Sequence, residues 1–143
     1  MIYLDSCALV KLIRQEKESA ALQAWLDERP DTEHVTSELA RAEVLRVVRR
    51  SNHTARGVVI DTAVFERELA EANELLDNIN FIVLDAEILD QAGSSEVPSL
   101  KTLDAIHLTS AMQLKTAITE FVTYDRGLRR VAEQAMIRVT APS

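Results

Sequence analysis

Short apolar runs of strand length, separated by helix-length segments, are what most narrows the folds open to this sequence. Ile2-Tyr3-Leu4, Phe81-Ile82-Val83-Leu84 and Phe121-Val122-Thr123-Tyr124 are nearly continuous in apolar residues, and Glu33–Thr36 and Ile137–Thr140 are two further strand-like stretches. A strand with one wet face alternates polar and apolar residues, whereas a strand covered on both faces does not. Helical spacing follows each run or precedes the next: Ala8–Ile13, Ser19–Glu28, Ser37–Arg50 with Ser37 as its cap, about Asp61–Asn78, a short helix through Ile88, Leu89 and Ala92, Thr102–Lys115, and Leu128–Gln134. In the longest of these, Val64, Leu69, Ala72, Leu75, Leu76 and Ile79 recur at spacings of three and four, the signature of an amphipathic helix. The pattern predicts an α/β fold of three layers, α/β/α, around a central parallel sheet of about five strands.

Size and composition agree. The chain has 143 residues, within the ~100–200 of a typical domain, so one domain over residues 1–143 is expected. Three Gly and three Pro leave little room for long linkers, and no repeat or low-complexity segment is seen. A single cysteine, Cys7, excludes an internal disulfide framework and a Cys-rich zinc site, and suits a reducing compartment. No run reaches the ~18 apolar residues of a membrane helix, and the start lacks the basic lead of a signal peptide, so a cytoplasmic protein is expected. The net charge of −7 argues against a general nucleic-acid-binding coat, although a local basic patch beside clustered acids remains compatible with a nuclease.

The acids carry the functional expectation. In open parallel sheets, ligands bind beyond the carboxyl ends of the strands. Asp5 follows the first strand run and Asp125 the fourth, Glu43 shares a helix face with Leu39 and Val47, and Asp104 opens the helix from Thr102. Asp5, Glu43 and Asp104 are flanked by apolar residues, where an unpaired ionised carboxylate is strongly penalised. Acids converging there would repel one another and take up protons, and a divalent cation removes both problems. Hard oxygen donors suit Mg²⁺ or Mn²⁺. Simpler roles exist for each acid. Asp104 complements a helix dipole, Asp125 caps a helix, and Glu43 pairs with Arg46 or Arg50; Asp5 has few local partners to explain it.

The neighbouring residues give these acids a family context. Tyr3-Leu4-Asp5-Ser6-Cys7-Ala8-Leu9-Val10-Lys11-Leu12 resembles the opening of VapC-type PIN-domain toxins. Ser37-Glu38-Leu39-Ala40-Arg41-Ala42-Glu43-Val44 is similar to the second motif of that family. Leu100-Lys101-Thr102-Leu103-Asp104-Ala105-Ile106-His107-Leu108 resembles the third, and Phe121-Val122-Thr123-Tyr124-Asp125-Arg126-Gly127-Leu128 the fourth. The four stand in the family's order across essentially the whole chain. The resemblance implies a Mg²⁺- or Mn²⁺-dependent ribonuclease, the toxin of a toxin–antitoxin pair, neutralised by a VapB-type antitoxin and commonly dimeric. On it, Asp5, Glu43, Asp104 and Asp125 take the four acidic positions. Ser6 takes the polar position after the first acid, and Cys7 replaces the commoner Ser or Asn.

Around the acids, Ser6 and Thr123 are candidates to hydrogen-bond ligands or metal-bound waters. Arg41, Arg46, Arg49, Arg50 and Arg56 form the one strongly basic segment, either a solvated helix face, a track for an RNA backbone or a seat for an acidic antitoxin tail. His107 is expected as a packed histidine with one hydrogen bond, Cys7 as a core residue, and Trp25 as packing. Two other classes compete. A haloacid-dehalogenase-type phosphohydrolase carries a second Asp two residues after the first, where this chain has Cys7. A non-catalytic module on the same scaffold would lose at least one acid, and all four are present.

Overall fold

A computed structural model describes residues 1–143, with strands β1 (Ile2–Leu4), β2 (His34–Ser37), β3 (Asn80–Ile82), β4 (Glu120–Val122) and β5 (Val139–Thr140). The helices are α1 (Ser6–Ile13), α2 (Ser19–Asp27), α3 (Leu39–Ser51), α4 (Thr62–Asn78), α5 (Ala86–Gly93), α6 (Thr102–Gln113) and α7 (Arg126–Gln134). All strand pairs are parallel, in the order β3-β2-β1-β4-β5. The three-layer α/β/α expectation holds, with five strands.

Side-chain alternation along the central strand assigns the two faces. Ile2 and Leu4 enter a core with α1, α2, α3 and α4, built on Leu9, Leu22, Val44, Val48, Ala72 and Leu76. Tyr3 enters the opposite core with Phe121, Leu108 of α6 and Leu128 and Val131 of α7. A smaller cluster ties α5 to α6 through Ile88, Ala92, Ala105 and Ile106. Trp25 packs against the first core as expected, under the guanidinium of Arg29. No helix is long and apolar enough to cross a membrane.

Differences from the sequence expectation lie at element ends. β3 is an edge strand that stops at Ile82, and Val83 is 67% exposed; an apolar run alone does not reveal that one flank is open. Ser37 does not hold the N-cap position, which is Glu38, although its hydroxyl accepts from the Leu39 N–H that opens α3, at 3.3 Å. It ends β2, fully buried, and α3 starts at Leu39 with no side-chain cap at Glu38.

The strand order fixes where a ligand can sit. From β1 the chain runs outward through β2 to β3 on one side, then crosses to β4 and β5 on the other. The switch point therefore falls between β1 and β4, where diverging connections open a crevice beyond the carboxyl ends. Register places Leu4 opposite Val122, so Asp5 and Thr123 leave the sheet side by side.

Candidate active site

At that switch point the backbone N–H of Asp5 donates to Val122 O at 3.2 Å. Asp5 is 2% exposed. Its Oδ1 accepts from Ala8 N–H at 2.8 Å, capping α1, and its Oδ2 accepts from the Thr123 hydroxyl. Asp5, for which the sequence suggests few local partners, thus has one in the Ala8 N–H and another, distant in sequence, in the Thr123 hydroxyl. Thr123 Oγ1 in turn accepts from Asp125 N–H at 3.1 Å. One buried hydroxyl therefore couples the segments carrying two of the four acids. Asp125 caps α7 through Leu128 N–H at 2.8 Å. Gly127 makes room for it: a Cβ there would lie 3.1 Å from Asp125 Oδ1.

Glu43 and Asp104 reach the same crevice from helices. Glu43, on α3, is half-buried, and its Oε2 accepts from the Ser6 hydroxyl and lies 2.7 Å from His107 Nε2. It shares a groove with Leu39, Val47, Arg46, Arg50 and Leu103, the helix face expected from the spacing. Asp104, in the first turn of α6, lines a small cavity with Asp125, Lys101, Gly127 and Arg130.

Electrostatics show that the four acids share a neighbourhood. Burial, partly offset by the bonds from Thr123 and Ala8, raises Asp5 to about 6. Burial and then the charge of Asp125 raise Asp104. For Glu43, burial opposes ionisation, but the bonds from His107 and Ser6 hold it below its ordinary value. Atoms packed around the Cys7 sulfur partly desolvate it, even though the residue lies exposed at the surface. This, followed by the charges of Asp5, Asp125, Asp104 and Glu43, pushes the thiol up to about 12. Cys7 lines one groove with Glu43 and Asp125, and Asp125 also lines the adjoining cavity with Asp104, so like charges gather at this end of the sheet.

Over residues 2–134 the chain matches the family model for the PIN domain. It is 38% identical to "Ribonuclease VapC35" of Mycobacterium tuberculosis, over 99% of this chain and 97% of that protein. It is 37% identical to "Ribonuclease VapC46" of the same species, over 99% and 98%. The chain belongs to the PIN-domain family, in its VapC group.

Solved VapC structures share the fold of this PIN domain at low identity. Mycobacterium tuberculosis VapC20, described as a sarcin-ricin loop cleaving toxin, aligns with a TM-score of 0.68 at 13% identity, covering 92% of this chain and 95% of its own. A chain of VapBC2 from Rickettsia felis, bound to a DNA fragment from its promoter, aligns with a TM-score of 0.68 at 14% identity over 100% of both.

Two side chains of this PIN domain depart from the sequence expectation. Cys7 is exposed, not core; it is the second residue of α1 and turns toward the acids, while Ala8 next to it is fully buried. His107 makes three polar contacts instead of one: Tyr3 OH at 2.8 Å, Glu43 Oε2 at 2.7 Å and Ser6 Oγ at 3.0 Å. Its spacing from Asp104, three residues along a helix, was the available signal.

The basic segment divides. Arg41 lies over the Phe81 ring at 4.1 Å, and Arg49 over Phe65 at 5.8 Å. Arg46 and Arg50 border the Glu43 groove, and with Arg49, His53 and Thr54 they also line an adjoining cavity. Shared lining residues therefore lead from the acids to the arginines.

Proposed function

We propose that this VapC-type PIN domain is a Mg²⁺- or Mn²⁺-dependent ribonuclease, the toxin of a toxin–antitoxin pair whose VapB-type antitoxin neutralises it. The observation that carries the reading is the gathering of the four acids at the β1–β4 switch point. Asp5 is tied to Asp125 through Thr123, Glu43 and Asp125 line one groove with Ser6 and Cys7, and Asp104 lines the adjoining cavity with Asp125. Names of relatives support the reaction class, and the VapBC2 assembly supports the kind of partner.

The donor set fits a hard cation. Asp104 accepts no hydrogen bond from the protein, and Asp5, Glu43 and Asp125 each spend part of their acceptor capacity on bonds that hold the side chain in place. No three acids, histidines or cysteines lie at joint coordination distance. An ion here would be held by one or two carboxylates directly and by the others through water, the usual manner of Mg²⁺. Asp5 and Asp104 are the proposed direct ligands, with Asp125 beside them. When bound, the cation supplies charge stabilisation at the phosphate and lowers the pKa of a bound water.

The chain's own contribution is placement. Glu43, held ionised, receives a proton from or orients the attacking water. Ser6 anchors Glu43, and Thr123 anchors Asp5. Arg46 and Arg50 take the RNA backbone beside the acids, while Arg41 and Arg49 stay near their aromatic partners and add charge at the edge of the track. Covering this crevice is how an antitoxin would silence the enzyme.

The test is incubation of the purified protein with total RNA in the presence of Mg²⁺, Mn²⁺ or a chelator. Cleavage with either ion and none with chelator is expected; intact RNA under every condition would return the chain to the non-catalytic reading. Replacing Arg46 and Arg50 together by Ala should weaken RNA binding at every sequence. It should also flatten the plot of log affinity against log salt by about 1.4, the loss of two phosphate contacts on a single strand. An unchanged slope would remove the arginines from the RNA track.

A further inference from the structure

Beneath the acids runs a buried hydrogen-bonded line that the mechanism above does not use. It starts at the backbone of β2. Ser37 N–H donates to Tyr3 OH at 3.2 Å, and Tyr3 OH lies 2.8 Å from His107 Nδ1. On the far side of the imidazole, Nε2 lies 2.7 Å from Glu43 Oε2. Tyr3 and Ser37 are fully buried and His107 is 2% exposed. Tyr3 is clamped by stacking on Phe121, with ring centroids 4.8 Å apart and planes within 6°, and the His107 ring meets it edge-on.

For a neutral imidazole beside an ionised Glu43, proton bookkeeping along this line favours one arrangement. A backbone N–H can only donate, so the Tyr3 oxygen is the acceptor toward Ser37. The single hydroxyl proton of Tyr3 is then free to point at His107 Nδ1. The hydroxyl of Thr36 also lies near Tyr3 but makes no hydrogen bond of normal geometry, so His107 Nδ1, at 2.8 Å, is the better acceptor for that proton. With Nδ1 accepting, the imidazole proton sits on Nε2 and donates to Glu43 Oε2, with Ser6 Oγ as a weaker second acceptor at 3.0 Å. Glu43 Oε2 then receives both the Ser6 hydroxyl and the imidazole N–H, while no protein donor binds Oε1.

We propose that His107, with its tautomer set by Tyr3 and Ser37, is a positioning residue that fixes the rotamer of Glu43 and presents Oε1 to the reacting centre. The inference rests on the ribonuclease reading, in which Glu43 acts at that centre. His107 touches neither RNA nor cation in this scheme; it acts through Glu43 alone. A fold-spanning link follows, since Ser37, Tyr3, His107 and Glu43 come from β2, β1, α6 and α3. The packing of four elements thereby decides where one carboxylate oxygen points.

His107→Gln and His107→Met separate positioning from packing. Gln can return an N–H near the Nε2 position, whereas Met fills comparable volume with no donor. With a short RNA substrate, His107→Met is expected to lose about tenfold to a hundredfold in kcat, the scale of one charge-assisted hydrogen bond. Its KM should stay unchanged, and His107→Gln should recover most of the loss. Wild-type kcat in a folded His107→Met, or a His107→Gln no better than Met, would overturn the proposal.

A second measurement does not depend on cleavage. Long-range proton–nitrogen NMR of the imidazole should show His107 protonated at Nε2 and bare at Nδ1, and Tyr3→Phe should convert this into a mixture of tautomers. A wild-type His107 protonated at Nδ1 would sink the inference whether or not the RNA is cut. Wild-type protein that cuts no RNA would instead remove the ribonuclease reading, with the tautomer spectrum still deciding whether this line orients Glu43.

Discussion

Asp5→Asn is expected to make the metal-free protein more stable and to abolish RNA cleavage. The substitution keeps the shape and the useful acceptor: Asn Oδ1 still takes the Ala8 N–H, and Asn is as good a helix cap as Asp. Its amide can donate to Thr123 Oγ1, which reverses that bond but leaves the buried Thr123 hydroxyl proton without its acceptor, a cost that offsets part of the gain from removing the charge. What disappears is a charge that burial disfavours, raising Asp5 from an ordinary 3.8 to about 6. At about 1.4 kcal/mol per pKa unit, the ionised form costs the native state on the order of 3 kcal/mol at neutral pH.

The sign follows from linkage. Because the folded value lies above the unfolded one, the native state holds the extra proton between about pH 4 and 6. The wild-type protein without metal therefore loses stability as pH rises through that window, and Asp5→Asn does not. Above the window the variant should be more stable by up to about 3 kcal/mol, or several degrees in Tm for a chain of this size. Cleavage should fall about a hundredfold to a thousandfold or more, as when one preorganised charged group is taken from a reacting centre. Thermal unfolding in chelator across pH, beside an RNA assay in Mn²⁺, measures both. A variant that is less stable than wild type in chelator, or that still cuts RNA, removes Asp5 from the centre.

Asp5 also marks what the sequence could and could not reveal. Its place at the end of an apolar strand run was legible, because strand ends in a parallel sheet open onto the ligand crevice. The four motifs also pointed to Glu43, Asp104 and Asp125, and the structure places these side chains on neighbouring grooves at the same end of the sheet. That Asp5 and Asp125 both cap helices was visible for only one of them, although the two roles coexist in each. Capping turns the carboxylate toward the first turn of a helix, and the same turn directs it into the crevice. Side-chain direction was harder. Cys7 and Ala8 are both small and adjacent, and only the packing of α1 on the sheet puts Ala8 in the core and Cys7 before the acids. Ser37 reads as a helix cap from its residue type, and its hydroxyl does accept from Leu39 N–H. Yet it sits one residue before the cap position, at the end of β2 in the interior, where its own N–H serves Tyr3. His107 looked like core because it is core. What sets it apart is the contact that a buried ring extends to Glu43, and no local pattern distinguishes that from ordinary packing.

Asp104→Asn should be the sharper probe of the cation, because Asp104 makes no protein hydrogen bond to confuse the result. Two structural effects oppose each other. Asp104 lies in the first turn of α6, where a negative charge gains about 0.3–1 kcal/mol from the helix dipole. Against this stand burial and the charge of Asp125, which together raise its pKa. The upward direction says that the environment as a whole disfavours the charge, so the variant should be at least as stable as wild type in chelator. Added Mg²⁺ or Mn²⁺ should then raise the Tm of wild type more than that of the variant, because stabilisation by a ligand tracks its affinity for the native state. Cleavage should drop to near background, while RNA binding through Arg46 and Arg50 should persist or tighten as a negative charge leaves the crevice. If Asp104 serves only the helix dipole, the variant instead loses roughly 0.3–1 kcal/mol, responds to the ions as wild type does, and cuts RNA at the wild-type rate. A destabilised but fully active Asp104→Asn would end its assignment as a ligand, and the ion would have to be sought between Asp5 and Asp125 alone.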